Sequence, residues 1–334
     1  MNLTVRIQNG ERTLEPIVKN GASLKRIKNG ASTFEFTLIN DSALSIQEGN
    51  TVTVVSESLA PFGQTHLLFK GYIFKISPNK NGEVSVTAYD QIRYLNNTDT
   101  YVYQNKTLSD LVKMICGDCQ LKYGSDIVET GYVIPSRVED NKSYLDMIMT
   151  AMQLTVQNGG KEYILWDNFG EIALHDTEFF KIPLIISNST AQDFSFEISI
   201  DSETYNQIKL FRETDDGSRE VFVKNDPGTI GRWGLLQISE TLGKDENGDA
   251  KAAEMLSQSN RRKATLSVSN AFGDIRVRGG SIVHVEIDTF VDMGFSVKGK
   301  TTNMWMTVKE VTHHFDSGIH TMDLDLTGGS LVYE

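Results

Sequence analysis

Residues 279–287 read GGSIVHVEI, residues 304–311 read MWMTVKEV and residues 319–326 read IHTMDLDL, with the turn sequence Asp316-Ser317-Gly318 before the last segment. Apolar and polar residues alternate along these segments, which is the period of a β-sheet with one buried face. The stretch therefore predicts a strand that opens on glycine, a connection, and then a β-hairpin.

The same order of parts occurs much earlier in the chain. Residues 49–55 read GNTVTVV, residues 69–76 read FKGYIFKI and residues 84–90 read VSVTAYD, with turn residues at 79–82. Because the two stretches share a glycine-led strand and an alternating hairpin, we predict two similar β modules in one chain. The rest of the sequence is interpreted as fitted around this pair.

The composition indicates a globular protein. The chain has 334 residues, of which 39% are hydrophobic and 9% aromatic, so it can build two or three cores. It lacks an uninterrupted apolar run of about 18 residues, so we expect no membrane insertion. We expect the protein to stay in the cytoplasm unless something larger carries it out. The net charge of −12 argues against a phosphate-binding groove, and so against sequence-specific nucleic acid binding.

The chain divides into three predicted domains. Residues 1–98 read as β structure, with Phe34, Phe36 and Leu38 on one face of a strand, and about six strands would make a small barrel or sandwich. Residues 99–188 predict a small α/β domain with two helices and a hairpin.

Each helix of the α/β domain begins with a recognisable capping sequence. Thr107 is followed three residues later by Asp110, and Ser143 is followed by Asp146 in the same way. Both positions precede a helical stripe of apolar residues, so they predict the two helix N-termini.

Residues 189–334 return to β patterning. Alternating segments at 194–200, 206–211 and 219–223 predict further strands of a second β domain. A helix near residues 249–262 is expected as an insertion within that domain.

Two sequence patterns resemble known metal or redox sites. Cys116 and Cys119 have the spacing of a redox or zinc pair, but they lie at the far end of a predicted helix and the chain has no other cysteine. Asp245, Asn247 and Asp249 imitate the start of a calcium loop, but its glycine and its last glutamate are missing. We interpret both patterns as structural.

His313, His314 and His320 flank the last hairpin. Neighbouring residues of a regular strand point to opposite faces, so His313 and His314 cannot both face one ion. The sequence also lacks the motifs of known nucleophile, zinc-peptidase and phosphate-binding sites. We therefore predict no catalytic, cofactor-binding or metal-binding residues, no cofactor and no enzyme activity.

The order of several short segments resembles the XkdQ family of tail proteins from PBSX-like prophages. The resemblance covers nearly the whole chain. It rests on residues 69–73, 88–97, 105–107, 130–135, 163–170, 204–208, 234–237 and 273–280.

This family is similar in plan to the N-terminal hub of VgrG spikes. The resemblance implies a mainly β fold with α+β character, in which two tail-tube-like β-barrel domains flank a small α/β domain. It also implies a homotrimeric baseplate hub of a contractile phage tail or phage-tail-like particle that adapts the sixfold tail tube to the threefold spike. Its implied location is the baseplate of the virion or phage-tail-like particle, after assembly in the bacterial host cytoplasm. The implied partners are the tail tube protein, the tail spike protein, the baseplate wedge proteins and, as a further candidate, the tape measure protein.

Two further expectations complete this interpretation. An acidic bore in the trimer would let DNA or an extended protein pass without adhering. The alternative function is a tail-associated cell-wall hydrolase or glycan-binding module. A hydrolase should lose turnover when one carboxylate is changed.

Overall fold

In the computed structural model, the described residues are 2–19, 21–39, 45–57, 65–201, 203–214, 217–243, 247–287 and 303–328. The predicted fold class is confirmed, since β-strands dominate these residues and helices are few. No helix in this part of the chain is long and apolar enough to span a lipid bilayer.

The first β module comprises the seven strands that lie before residue 90. They are β1 (Asn2–Asn9), β2 (Arg12–Leu14), β3 (Ala22–Ile27), β4 (Thr33–Ile39), β5 (Thr51–Glu57), β6 (Thr65–Pro78) and β7 (Glu83–Tyr89). In the sheet they follow the order β3-β4-β7-β6-β5-β1-β2. A bridge from Val18 to Leu38 returns the chain to β4. The module encloses an apolar core that includes Phe34, Phe36 and Leu38, so the predicted buried face is confirmed.

The central segment contains both predicted helices. Its elements are a 3-10 helix (Gln91–Asn96), β8 (Thr98–Thr107), α1 (Leu108–Asp118), β9 (Tyr123–Ile127), β10 (Val133–Ser143), α2 (Tyr144–Gln157), β11 (Tyr163–Asp167), β12 (Ile172–Asp176) and a second 3-10 helix (Thr177–Phe180). Thr107 and Ser143 are the N-caps, and their side chains accept hydrogen bonds from the backbone N–H of Asp110 and Asp146. The capping predictions are therefore confirmed.

The remaining strands and helices follow in the last half of the chain. They are β13 (Lys181–Ser187), β14 (Asp193–Ser199), β15 (Gln207–Glu213), β16 (Arg219–Asn225), α3 (Pro227–Trp233), β17 (Gln237–Thr241), α4 (Gly248–Ser259), β18 (Lys263–Phe272), β19 (Ile282–Glu286), β20 (Asn303–Asp316) and β21 (Ile319–Thr327). We call β13, β14 and β18–β21 the second β module.

The segment from Phe196 to Thr265 is a compact unit of its own. Its three-stranded sheet has the order β16-β15-β17, and helix α4 packs on it around Ile208, Leu210 and Ala252. The prediction that residues 206–211 and 219–223 are strands is confirmed, but their expected place in the second β domain is wrong. Their alternation identified strands and could not identify the partner strands. The insertion is therefore larger than the helix expected near residues 249–262.

The predicted repeat is confirmed by hydrogen-bond register. In the first module Ile73 lies opposite Ala88, and in the second Val308 lies opposite Leu326. A β-bulge follows immediately in both hairpins. Glycine also opens both copies in the same way, because the N–H of Gly49 donates to the oxygen of Ile73 at 2.8 Å and that of Gly280 to the oxygen of Val308 at 2.7 Å.

The strand order repeats as well. The first module reads β3-β4-β7-β6-β5, and the second reads β14-β18-β21-β20, with β19 paired to β20. In this correspondence β3 matches β14 and β6 matches β20. In the first module a short turn joins β3 to β4. The corresponding connection in the second module, between β14 and β18, contains the unit of residues 196–265. The division of the whole chain into three domains stays a prediction.

The two modules share one continuous sheet. The C-terminal half of β20 pairs antiparallel with β3, from Glu310 opposite Ile27 to Phe315 opposite Ala22. We call this pairing the internal seam. Beside it, Gly279 passes so close to the end of β3 that an added Cβ would lie 2.0 Å from the nitrogen of Lys28. Only glycine fits such a backbone approach without a shift.

Replacement of Gly279 should therefore weaken the internal seam. We expect Gly279→Ala to lower the free energy of unfolding by about 2–3 kcal/mol, because the added methyl group overlaps the backbone of β3. Gly117→Ala is the matched control, since nothing lies within 4 Å of the added Cβ in helix α1. That control should gain about 0.5–1 kcal/mol. Urea unfolding measures both, and equal stability of the two variants would contradict the account.

Candidate assembly site

Four charged side chains meet where the two β modules and the central segment adjoin. Arg26 comes from β3, Asp90 follows β7, Asp167 ends β11, and Arg278 lies between β18 and β19. We call these four residues the junction cluster. It joins parts of the chain that lie up to 252 residues apart in the sequence.

Arg26 ties both modules together through main-chain carbonyls. Its guanidinium donates to the oxygen of Leu68 at 2.7 Å in the first module, and to the oxygens of Ile275 and Val277 at 2.9 and 3.1 Å beside the second. The side chain is 6% exposed. The pKa of Arg26 is lowered to about 9, mainly by burial and secondly by the positive charge of Arg278. Arg26 therefore carries its charge at neutral pH. It donates hydrogen bonds to three carbonyl oxygens that are not paired in the β ladders.

Asp90 anchors the end of β7. Its two carboxylate oxygens accept hydrogen bonds from the backbone N–H of Ile92 at 3.0 Å and of Ser32 at 2.8 Å. Burial, and then the charge of Asp167, raises the pKa of Asp90 to about 8. Burial also raises the pKa of Asp167 to about 6. The two carboxyls thus disfavour each other's ionisation, while two arginines lie close by.

The space between the four side chains of the junction cluster is small. Arg278 lies over the ring of Trp166 at 5.7 Å, and the cavity between the four side chains measures about 20 Å³. A cavity of this size has room for about one water molecule. The cluster is therefore suited to holding elements together and has no space for a ligand of larger size.

A histidine pair extends the junction cluster. Nε2 of His313 lies 3.0 Å from the oxygen of Val277, and Nδ1 of His313 lies 3.0 Å from Nε2 of His320. Because a carbonyl only accepts, His313 carries its proton on Nε2, and His320 donates to Nδ1 of His313. Burial lowers the pKa of His313 well below its usual value and that of His320 to about 4. Both imidazoles are neutral at neutral pH.

The other residues singled out by sequence are not brought together. His314 points away from His313 and contacts Asp323 at 2.9 Å, so the prediction of opposite faces is confirmed. Cys116 is buried, and burial raises the pKa of its thiol to about 12. Within the described ranges no group of three or more His, Cys, Asp or Glu side chains is placed to hold a metal ion. Asp245 of the calcium-like pattern lies outside those ranges.

Sequence reasoning missed the junction cluster. Arg26 lies in an alternating strand, where a single arginine is typical of a solvated position. The available signal was that Ala22, Leu24 and Arg26 share one face of β3, and that face is buried. A charge on an apolar face predicts either solvent access or a dedicated set of acceptors.

Sequence comparison identifies the family of the chain. A family model described as YQBQ-like matches residues 24–327. The phage-like element PBSX protein XkdQ of Bacillus subtilis (strain 168) is 26% identical over 291 residues, which cover 84% of this chain and 82% of that protein. The resemblance inferred from short segments is thereby confirmed.

Solved structures share the fold at low sequence identity. The 43 kDa tail protein of prophage MuSo2 from Shewanella oneidensis is 15% identical with a TM-score of 0.63, over 97% of this chain and 98% of that chain. The E. coli c3393 protein, described as a component of the type VI secretion system with structural similarity to the T4 tail proteins gp27 and gp5, is 12% identical with a TM-score of 0.56. That match covers 99% of this chain and 77% of that chain. The fold is thus one that phage tail proteins adopt.

Removal of the Arg26 guanidinium should loosen both modules. We expect Arg26→Met to lower the free energy of unfolding by about 3 kcal/mol, because the carbonyls of Leu68 and Ile275 lose the guanidinium donor and that of Val277 keeps only its hydrogen bond from His313. Arg12→Met, at an exposed position of β2, should change stability by no more than about 0.5 kcal/mol. A chemical denaturation series compares the two, and a loss below about 1 kcal/mol at Arg26 would contradict the role given to it.

The half-buried His320 should make the protein sensitive to mild acid. The pKa of His320 is lower in the folded state than in the unfolded chain, so the unfolded chain takes up more protons between about pH 6.5 and 4. The stabilising contribution of neutral His320 is present above pH 6.5 and is lost as the pH falls towards 4. His320→Gln still offers His313 a donor but cannot titrate. Wild type should lose stability relative to this variant by up to about 1.4 kcal/mol per pH unit.

Urea unfolding at pH 7, 6 and 5 measures this difference. Asp90 and Asp167 also titrate there, but they are present in both proteins and cancel in the comparison. If the stabilities of wild type and variant keep a constant difference across the three pH values, His320 is not neutral in the folded protein.

Proposed function

Because the chain belongs to the YQBQ-like family, we propose that it is a structural component of the baseplate hub of a contractile phage tail or a phage-tail-like particle. In this proposal three copies form a ring that adapts the sixfold tail tube to the threefold spike. The protein would act in the assembled virion or particle and would have no enzymatic function.

One observation carries the proposal. The chain builds the same β module twice, with the same strand order, the same bulge and the same glycine turn, and joins the copies through the internal seam. A ring of six similar modules can thus be made from three chains. A sixfold tube could then contact six similar modules, while a threefold spike could contact three identical chains.

The proposed partners follow from this symmetry. The tail tube protein would contact one face of the ring, and the spike the other, with baseplate wedge proteins around the outside and the tape measure protein as a further candidate. The net charge of −12 per chain supports a bore that does not retain nucleic acid. A bore lined by lysine and arginine would contradict this part of the proposal.

The geometry gives no support to the alternative of a cell-wall hydrolase. The carboxyls of Asp90 and Asp167 adjoin a cavity of only about 20 Å³, which Arg26 and Arg278 also line. A glycosidase needs its two carboxyls on either side of a bound sugar. These two carboxyls have no such space between them.

The first test is the mass of the assembled protein. Native mass spectrometry and light scattering of the purified chain should give a homotrimer, and addition of the spike protein from the same tail operon should give one complex with three copies of this chain. The subunit contacts of a stable ring are expected to exceed roughly 2,000 Å². Assembly should therefore persist at micromolar concentration.

Two outcomes would contradict the proposal. A chain that stays monomeric at all concentrations and with the spike protein cannot form the ring. Release of soluble fragments from purified peptidoglycan that disappears in an Asp90→Asn or Asp167→Asn variant would instead favour the hydrolase.

A further inference from the structure

The internal seam contains an ion pair that marks its register. Nζ of Lys25 on β3 lies 2.5 Å from Oε1 of Glu310 on β20. In the ladder Glu310 lies directly opposite Ile27. The ion pair is therefore diagonal, because Lys25 lies two residues before Ile27 on the same face of β3. This diagonal contact is possible only when the two strands pair in this register.

Strand β6 of the first module has an edge that corresponds to the edge through which β20 pairs with β3. Along β6 the pairing with β5 ends at Tyr72, and beyond Ile73 the strand pairs with β7 on one side only among the described strands. The bulge places Lys75 at the position that Glu310 occupies in β20. Lys75 is exposed.

The second module carries the strand that matches β3. Strand β14 pairs with β18 and ends the order of described strands in the large sheet. We align its residues FSFEIS at 194–199 with ASLKRI at 22–27 of β3 so that the apolar faces coincide, and this alignment matches Ser195 to Ser23 and Glu197 to Lys25. In both strands the residues on the apolar side are the less exposed ones. Glu197 is exposed.

We propose that β6 of one copy pairs antiparallel with β14 of the next copy, in the register of the internal seam. Lys75 of one chain and Glu197 of the other then form the equivalent of the ion pair between Glu310 and Lys25, with the two charges exchanged. This inference rests on the proposed trimer and identifies the surface that holds it together. The occupant of each edge is a second copy of this chain.

The exchanged charges also select the correct partner. Within one chain β20 already pairs with β3, so among the described strands the edges left for another copy are that of β6, with Lys75, and that of β14, with Glu197. Pairing of two β6 edges would bring lysines together, and pairing of two β14 edges would bring glutamates together. Like charges side by side oppose both wrong pairings, while alternation of first and second modules places opposite charges together at every contact.

The proposed ladder is shorter than the internal seam. Pro78 ends β6 at the position that His313 occupies in β20, and proline has no N–H to donate. Pairing should therefore stop at Ser77. A short edge that carries a lysine and ends in proline is also protected against unselective strand pairing.

A charge exchange tests the ion pair. Lys75→Glu and Glu197→Lys should each raise the concentration needed for half-maximal trimer by roughly tenfold or more at low salt, because each places like charges at all contacts between copies. The double variant should return to near the wild-type value. Lys209→Glu with Glu240→Lys is the control, since both residues are exposed on the separate sheet of β15 and β17.

A cysteine pair tests the register. Thr312 is opposite Lys25 in the internal seam, so Ser77 of one copy should lie opposite Glu197 of the next. Ser77→Cys combined with Glu197→Cys should give dimers and trimers joined by disulfides after mild oxidation, while either single change should not. Mass analysis of peptides identifies the joined residues.

The outcomes separate this inference from the proposed function. A stable trimer that neither charge variant weakens, and that the cysteine pair does not cross-link, overturns the proposed pairing and leaves the hub proposal in place. A wild-type protein that never forms a trimer overturns both. Weakening by the single variants without recovery in the double variant overturns the ion pair.

Discussion

The antiparallel pairing of β3 with β20 is the contact on which the large sheet depends. It joins strands that lie almost 290 residues apart in the sequence, so a long loop must close before its hydrogen bonds can form. Arg26 reinforces the pairing from inside by binding carbonyls on both sides of it. Gly279 allows the backbone of the second module to reach the end of β3. Without this contact the two modules would each end in an exposed strand edge.

The two modules keep the same geometry with different residues. The side chain of Asn50 accepts from the N–H of Gln47 at 3.0 Å, and that of Ser281 accepts from the N–H of Arg278 at the same distance. Asparagine and serine both supply an oxygen acceptor three residues after the donor, so either can hold this turn. The modules also differ, because β1 pairs antiparallel with β5 whereas β13 pairs parallel with β19. The repeat therefore covers the hairpin, its glycine turn and the strands beside it.

The sequence predicted those structural features that depend on residues close together in the chain. Alternation identified β4 and the two hairpins, and the side chains of Thr107 and Ser143 identified the helix starts, because each signal acts within a few residues. The partner of β15 could not be predicted in this way, since alternation shows that one face is buried and does not show which strand lies alongside. Arg26 was missed for the same reason. Its acceptors at Leu68, Ile275 and Val277 come from distant parts of the chain and are visible only once the sheet is formed.

Duplication within one chain allows the two modules to differ in their insertions and charges, which six identical subunits could not do. In the proposed ring, a hexamer of single modules would carry any insertion six times and the same charge at every contact. In this chain only the connection between β14 and β18 carries the unit of residues 196–265, so three chains present it three times. The same duplication lets Lys25 and Glu310 carry charges opposite to those of Glu197 and Lys75. In the proposed ring, a threefold pattern of extra domains and an alternating set of contacts would therefore be two consequences of one repeat whose copies have diverged.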